Sequence, residues 1–368
     1  MNIMPTSFYI HIPFCKKKCL YCDFLSFPYI NNEQLTHFYI KALLKEIDAF
    51  ECQATKSIFI GGGTPSLIPH KHIGSILNAL GKKYIPKNAE ITIESNPESL
   101  TLDKLRAYKS YGINRISIGL QAWQDSLLKS LGRVHNNDMF LRAYDNILKA
   151  GFDNINIDLI FSLPDQNLKM WYETLENVTK LNPSHISTYS LIVEEGTPFY
   201  DMNLNLPNEI TDRKMYHHAI DYLNSAGYKQ YEISNFAKDN KESIHNKVYW
   251  QRGEYKGFGI GAASLLNETR YKNTTSIDEY IKGTYIIETE KLNKDDILSE
   301  YIFLGLRMLE GININDINTR FDIDILSIIN KVLIKYDNCF ILNNNRLSLN
   351  RQGIDISNSI LSDIMLEI

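Results

Sequence analysis

The sequence predicts an α/β chain, a partial (β/α)6 TIM-like barrel followed by a C-terminal, mostly helical, winged-helix-like module. Three observations predict it. Six β-rich runs recur through the first half, at residues 8–12, 58–60, 91–94, 115–120, 155–160 and 185–191. Segments with helical periodicity lie between them, including 33–50, 100–111, 138–150 and 168–181. From the second run onward the spacing is about 25–40 residues, the length of one βα unit.

The way each run ends supports its place. In barrels of parallel strands the chemistry sits at the C-terminal strand ends, so unusual residues should gather there. The first run leads into Cys15, Cys19 and Cys22. The second ends in Gly61-Gly62-Gly63-Thr64-Pro65, the third in Glu94-Ser95-Asn96-Pro97, the fourth in Gly119-Leu120-Gln121. The fifth carries Asp158 and ends near Ser162-Leu163-Pro164. Taken singly, a glycine-proline turn is a turn and a strand-end carboxylate is a helix cap. Five in succession around one rim point to a site. The barrel is expected over residues 1–206, and a connecting region, rich in Tyr, Asn, Lys and Glu, over 207–290. The C-terminal module is expected over 291–368, with helices at 296–310 and 323–336, a hairpin of 340–342 and 347–349, and a last helix at 354–366.

Composition narrows the function classes. Apolar residues make up 44% and charged residues 22%, as in ordinary globular proteins. The net charge of -4 gives no electrostatic case for nucleic acid or an anionic membrane. Winged-helix modules often bind DNA, but residues 295–368 hold six Lys/Arg against eleven Asp/Glu, the wrong sign for phosphate contacts. A structural or protein-contact role is expected instead. No apolar run approaches the ~20 residues of a membrane span. The first fourteen residues lack a signal-peptide pattern, so a cytoplasmic location is expected. The odd count of five cysteines argues against a disulfide framework. Cys52 and Cys339 stand alone and are expected to be small buried apolar side chains.

The chemistry is carried by Tyr9-Ile-His-Ile-Pro-Phe-Cys15-Lys-Lys-Lys-Cys19-Leu-Tyr-Cys22, a C-x3-C-x2-C spacing. Structural zinc takes four ligands, often as two C-x2-C pairs. Here no second pair is nearby, and His11 as a fourth ligand is disfavoured because it precedes the loop on a strand. Four cysteines would close an iron-sulfur cluster. Three leave one iron of a 4Fe-4S cluster open to chelate a small molecule.

With Tyr21 just before the last cysteine, this stretch resembles the radical S-adenosylmethionine (SAM) superfamily, and the partial barrel is that superfamily's fold. Over nearly the whole chain the sequence resembles, within it, the HemW family of haem chaperones, related to the oxygen-independent coproporphyrinogen III oxidase HemN. The stretches that carry this include 9–24, 61–66, 94–97, 114–121, 131–135, 156–164 and 245–250. The resemblance implies a 4Fe-4S cluster on Cys15, Cys19 and Cys22, with SAM bound at the open iron. It places Tyr9 and Tyr21 near the cluster and SAM. Gly62, Gly63 and Thr64 would let backbone approach the SAM amino and carboxylate groups. Glu94, Gln121, Arg133 and Asp158 would hydrogen-bond its charged and ribose groups. No residue is singled out as a catalytic acid, base or nucleophile.

Two functions compete. One is a haem chaperone, with haem and a recipient haemoprotein as partners. The other is an oxidase that decarboxylates coproporphyrinogen through SAM radical chemistry. Three features favour the chaperone: Phe24 stands where the oxidase motif has a further cysteine, only fourteen residues precede Cys15, and His245-Asn246-Lys247-Val248-Tyr249-Trp250 matches the H-N-x-x-Y-W motif of the HemW family. Imidazole is a common haem ligand, which makes His245 the expected iron ligand, against the plainer reading that it packs under a loop. Ser162 and Asp165 depart from the family, which usually has glycine at both places. The sequence is compatible with a homodimer.

Overall fold

The computed structural model describes residues 6–29, 33–51, 54–81, 86, 88–238 and 240–368; Cys52 lies outside the described residues. The six β-rich runs form strands β1 (Thr6–Ile12), β2 (Thr55–Gly62), β3 (Glu90–Ser95), β4 (Arg115–Gln121), β5 (Ile155–Phe161) and β6 (His185–Ser190). Each pairs in parallel with the next. Side chains alternate across a strand, and here the two faces differ sharply in chemistry. Ile10, Ile60, Ile93, Ile116, Ile118 and Ile157 are fully buried and join the core shared with the helices. The alternate positions are polar: Ser57, Thr92, Glu94, Ser117, Asn156, Asp158, His185 and Ser187. The apolar set holds the helix layer, at about 2 kcal/mol for each buried Ile side chain. The polar set faces the barrel interior.

The intervening helices are Glu33–Ala49, His70–Gly81, Leu102–Ser110, Asn137–Lys149 and Leu168–Lys180. Each buries one stripe, as with Ile73, Ile76, Leu77 and Leu80 in the second. Thr101, Asn136 and Asn167 cap three of them by accepting a backbone N–H.

Residues 207–290 do more than connect. They add strands β7 (Lys229–Gln230), β8 (Asn235–Ala237), β9 (Tyr255–Phe258), β10 (Ala263–Leu266), β11 (Thr269–Asn273) and β12 (Ile286–Lys291) to the same twelve-stranded sheet. The order is β12-β11-β10-β9-β1-β2-β3-β4-β5-β6-β8-β7, so the sheet stays an open barrel. β9 pairs in parallel with β1, a seventh parallel strand that local alternation did not reveal. Buried Glu46 fixes it there: its carboxylate accepts from Lys256 Nζ (2.9 Å), Gly259 N (2.9 Å), Asn273 Nδ2 (2.8 Å) and Tyr280 OH (2.6 Å).

The C-terminal module has its own apolar core, including Ile302, Ile317, Ile325, Leu347, Ile360 and buried Cys339. Three short strands, β13 (Ile312–Asn313), β14 (Phe340–Asn343) and β15 (Arg346–Leu349), form its wing. The expected helix 296–310 instead runs Lys294–Gly305, and an unanticipated helix follows at Ile314–Phe321. The chain after Gly305 turns back tightly onto the wing: a Cβ at Gly305 would lie 2.5 Å from Ile312 Cγ2, and Gly311, at φ 65°, would put one 2.1 Å from the Leu347 carbonyl oxygen. Arg351 with Asp221 and Arg213 with Asp355 tie the module to helix Glu209–Ser225.

The two departures from glycine have a clear backbone consequence. Ser162 and Asp165 adopt φ of 62° and 60°, the left-handed region that glycine enters at little cost. Asp165 recovers part of that cost through a 2.8 Å bond from Asn205 Nδ2. Replacing Ser162 with glycine should therefore stabilise the protein by about 1 kcal/mol, read as a higher urea midpoint with unchanged slope. Asp165→Gly should gain less, because it gives up the Asn205 bond.

Candidate radical SAM site

The C-terminal ends of the strands enclose one cavity of about 850 Å3. Cys15, Cys19, Cys22, Tyr21, Gly62, Gly63 and Thr64 line it together with Glu94, Gln121, Arg133 and Asp158. Residues far apart in sequence thus share one space, as the rim pattern anticipated. Two expected residues are not in its wall, Tyr9 and His245.

The cysteine loop is built onto the glycine turn. Gly63 N donates to Ile12 O (2.9 Å) and Thr64 N to Phe14 O (2.8 Å). This contact, as much as any ligand, explains the glycines. Gly62 has φ 109°, and a Cβ there would meet the His11 ring at 2.7 Å; one at Gly63 would meet Phe14 O at 2.8 Å. Cys22 N donates to Cys19 O (3.3 Å), which turns the loop back so that both thiols face the cavity. His11 is committed elsewhere: Nε2 donates to Leu25 O (2.8 Å) and Nδ1 accepts from Tyr9 OH (3.0 Å). It is not a metal ligand, and Tyr9 acts one step behind the loop by holding it.

A chain of donors converges on the thiols. Arg133 Nη2 donates to Asn96 Oδ1 (2.7 Å), Asn96 Nδ2 to Thr64 Oγ1 (3.0 Å), and Thr64 Oγ1 to Cys15 Sγ (3.6 Å). Arg133 Nη1 reaches Cys19 Sγ at 3.5 Å. Burial raises the Cys15 thiol and pushes Cys22 up to about 11. The pocket therefore disfavours bare thiolates and awaits a cation to draw the protons off. Among the described residues no three His, Cys, Asp or Glu side chains form a closed single-ion cage. Three thiols facing one open cavity, with Arg133 and Thr64 placed to donate to sulfur, fit an iron-sulfur cluster better than zinc.

β4 ends in a bulge between Gly119 and Gln121, and Gln121 takes φ 72°. A bulge re-aims the chain, and here it puts Gln121 into the cavity. A Cβ at Gly119 would lie 2.6 Å from Gln121 Nε2 and 3.2 Å from Arg133 Nη2, so a side chain there would displace the cavity-facing ends of both. Glu94 accepts from Gly62 N (3.1 Å); burial, then the nearby Asp158 charge, push its carboxyl up to about 8. Asp158 is also raised by burial, against bonds from Ser117, Asn156 and Ser187. Arg115, 2% exposed on the same face of β4, is the cation that opposes both shifts.

Behind Asp158 runs a relay in which every donor points the same way. Ser243 N donates to Tyr231 OH (3.2 Å), and Tyr231 OH to His185 Nε2 (2.8 Å). His185 Nδ1 donates to Asn156 Oδ1 (2.6 Å), and Asn156 Nδ2 to Asp158 Oδ1 (2.8 Å). Burial lowers His185 well below the usual histidine range, so the ring is neutral and one tautomer fits the relay. Such a chain polarises each link toward the carboxylate.

The relay begins at the N-cap of helix Ile244–Trp250, which carries the H-N-x-x-Y-W motif and closes the opposite, N-terminal end of the barrel. Glu90 takes the first two helix N–H groups, from Ile244 (3.2 Å) and His245 (3.1 Å). His245 is 1% exposed and stacks on Phe59 at 5.1 Å. Its Nδ1 bonds Ser57 Oγ (2.9 Å) and its Nε2 bonds Tyr249 OH (2.9 Å). Both ring nitrogens are engaged, so the expected haem ligation by His245 does not fit this conformation. The sequence pattern marked the residue and could not say which way its ring faces. Residues not singled out there for a role are Asn96, Ser117, Asn156 and His185. Asn96 had a signal in its strand-end motif, and Ser117 and Asn156 in the stretches 114–121 and 156–164 that carry the resemblance.

Comparisons agree with this geometry. A radical SAM superfamily profile matches residues 9–178, and a HemN C-terminal domain profile matches 292–356. Heme chaperone HemW of Lactococcus lactis is 34% identical over 99% of this chain and 98% of its own length. Heme chaperone HemW of Bacillus subtilis is 36% identical over 83% and 84%. This chain belongs to the HemW family of radical SAM proteins. The solved structure of coproporphyrinogen III oxidase (HemN) from Escherichia coli superposes with a TM-score of 0.87 at 22% identity, covering 99% of this chain and 91% of that one. At that identity the match speaks for the fold alone. Among the described residues no helix is long and apolar enough to cross a membrane.

Proposed function

We propose that this HemW-family chain is a haem chaperone that holds a 4Fe-4S cluster on Cys15, Cys19 and Cys22, binds SAM beside it, and passes haem to a recipient haemoprotein. The observation that carries the cofactor part is the single cavity joining the three thiols to Gly62, Gly63, Thr64, Glu94, Gln121, Arg133 and Asp158. The chaperone part rests on end-to-end similarity to proteins named heme chaperone HemW. When bound, the cluster supplies an open iron for the amino and carboxylate groups of SAM. Arg133 and Thr64 donate toward the sulfurs and stabilise their thiolate form. Glu94 and Asp158 accept hydrogen bonds from the ammonium and ribose hydroxyls of SAM, with Arg115 holding both carboxylates toward the ionised form. Gln121 contributes an amide that can donate or accept.

The test is anaerobic reconstitution followed by haem titration and a coproporphyrinogen III assay with SAM and reductant. Stoichiometric haem binding without decarboxylation is expected. Decarboxylation at enzymatic rates would make the protein an oxidase and leave the cluster and SAM assignments standing. His245→Ala should keep the position of the Soret band and lose about 3 kcal/mol of stability, through the vacated ring and the unsatisfied Ser57 and Tyr249 hydroxyls. A shifted band would instead return His245 to the iron, in a conformer where Ser57 and Tyr249 have released it.

A further inference from the structure

The cavity extends outward from the cluster end to the C-terminal module, where Arg213, Arg307, Ile354 and Asp355 line it. The two arginines there are in opposite states. Arg213 is saturated: Nε and Nη2 hold Asp212, and Nη1 reaches Asp355 at 3.4 Å. Arg307 forms no ion pair among the described residues, and its Nε is buried without a hydrogen-bond partner. Its guanidinium lies over the Phe303 ring (4.5 Å to the centroid) and the Trp250 ring (5.7 Å). Two aromatic faces strip water from a cation and fix its plane without neutralising it. The acidic group that bears on it is Glu232, 1% exposed, whose Oε2 accepts from Ser234 N while its Oε1 has no partner. The cation and this carboxylate influence each other and are not bonded. A half-buried guanidinium on a cavity wall, with its Nε unpartnered and no ion pair among the described residues, is placed to take an anionic group of a ligand.

The rest of the outer wall says what kind of ligand. Leu191, Ile192, Ile233 and Ile354 give it apolar surface, with Ile192 68% exposed at the mouth, while Glu194, Glu209, Asp212 and Asp355 also line the cavity, the last two paired with Arg213. Apolar surface beside an arginine that has no ion pair among the described residues suits a flat hydrophobic body that carries a carboxylate at its edge. We infer that Arg307 is the carboxylate anchor of the outer cavity and takes a propionate of the bound haem. The inference rests on the haem-carrier reading. Trp250, the last residue of the H-N-x-x-Y-W motif, lies behind this anchor, its ring centroid 5.7 Å from the Arg307 guanidinium.

The test is a haem titration of the reconstituted full chain, parent and Arg307→Met, using haem and haem dimethyl ester, in which both propionates are blocked. Arg307→Met should weaken haem about tenfold or more, as expected for a lost charge-assisted pair. Arg307→Lys should fall between. The ester should bind parent and variant alike, as weakly as haem binds Arg307→Met, and SAM binding should not change. The ester arm on the parent protein needs no folded variant. Equal haem affinity in parent and Arg307→Met, or equal loss of haem and ester in the variant, would overturn the anchor while leaving the haem-carrier reading intact. A parent that binds no haem would overturn that reading, and the anchor with it. A variant that loses SAM as well would place Arg307 in the inner site and also overturn the inference.

Discussion

Alanine at Cys19 should abolish cluster assembly. The parent, purified anaerobically, is expected to carry about four irons per chain, and Cys15→Ala, Cys19→Ala and Cys22→Ala to carry almost none. Each thiol holds a share of the cluster that no neighbour can replace, because His11 already spends both ring nitrogens on Tyr9 and Leu25. Cys339→Ala should keep its iron, since Cys339 is buried in the separate core of the C-terminal module, and Cys52→Ala is expected to do the same. Loading should also weaken as pH falls. Burial raises the Cys15 thiol and pushes Cys22 up to about 11, so at neutral pH the metal must displace protons from both. Iron assay and visible absorption across pH read both effects. Full iron in Cys19→Ala would sink the cluster assignment.

Glu94→Gln should have opposite effects on stability and on ligand. The Glu94 carboxyl is pushed up to about 8 from an ordinary 4.5, by burial and by Asp158. Between those values the unfolded chain has released the proton and the folded chain has kept it. Raising pH through this window therefore favours unfolding, and the contribution is lost as pH rises toward 8. Glutamine removes this penalty. The ligand-free variant should gain about 1 kcal/mol or more over the parent at pH 8, and little at pH 5. The same variant should bind SAM about tenfold to a hundredfold more weakly, because glutamine cannot give up a proton to become the charged acceptor that the SAM ammonium favours. Urea midpoints at the two pH values and calorimetric SAM titration separate the two effects. If Glu94→Gln binds SAM as the parent does, the carboxylate has no part in holding the ligand. Asp158→Ala should likewise lose SAM affinity without losing iron.

The sequence by itself determined what is local. Three cysteines within eight residues form one loop whatever surrounds them. The alternation in β1 to β6 is legible because one face of each strand must be apolar to hold helices. The strand-end residues Gly62, Gly63, Thr64, Glu94, Gln121 and Asp158 then fall on one rim by topology alone. The module's hairpin, with its Asn343-Asn344-Asn345 turn, was legible for the same reason. Tertiary structure decided the rest. β9 joins β1 across some two hundred and fifty residues because Glu46 is buried with four donors around it, a pairing no local pattern encodes. The third residue of the H-N-x-x-Y-W motif's cap-and-helix unit, His245, reads the same in sequence whether its imidazole meets iron or Ser57; helix direction and strand register settle that it faces the barrel interior. Arg213 and Arg307 are equivalent letters in the chain, yet one is paired twice and the other stands unpaired between two aromatic rings. A charge becomes a binding group only when the fold removes its water and withholds its partner, and that depends on contacts between residues far apart in the chain.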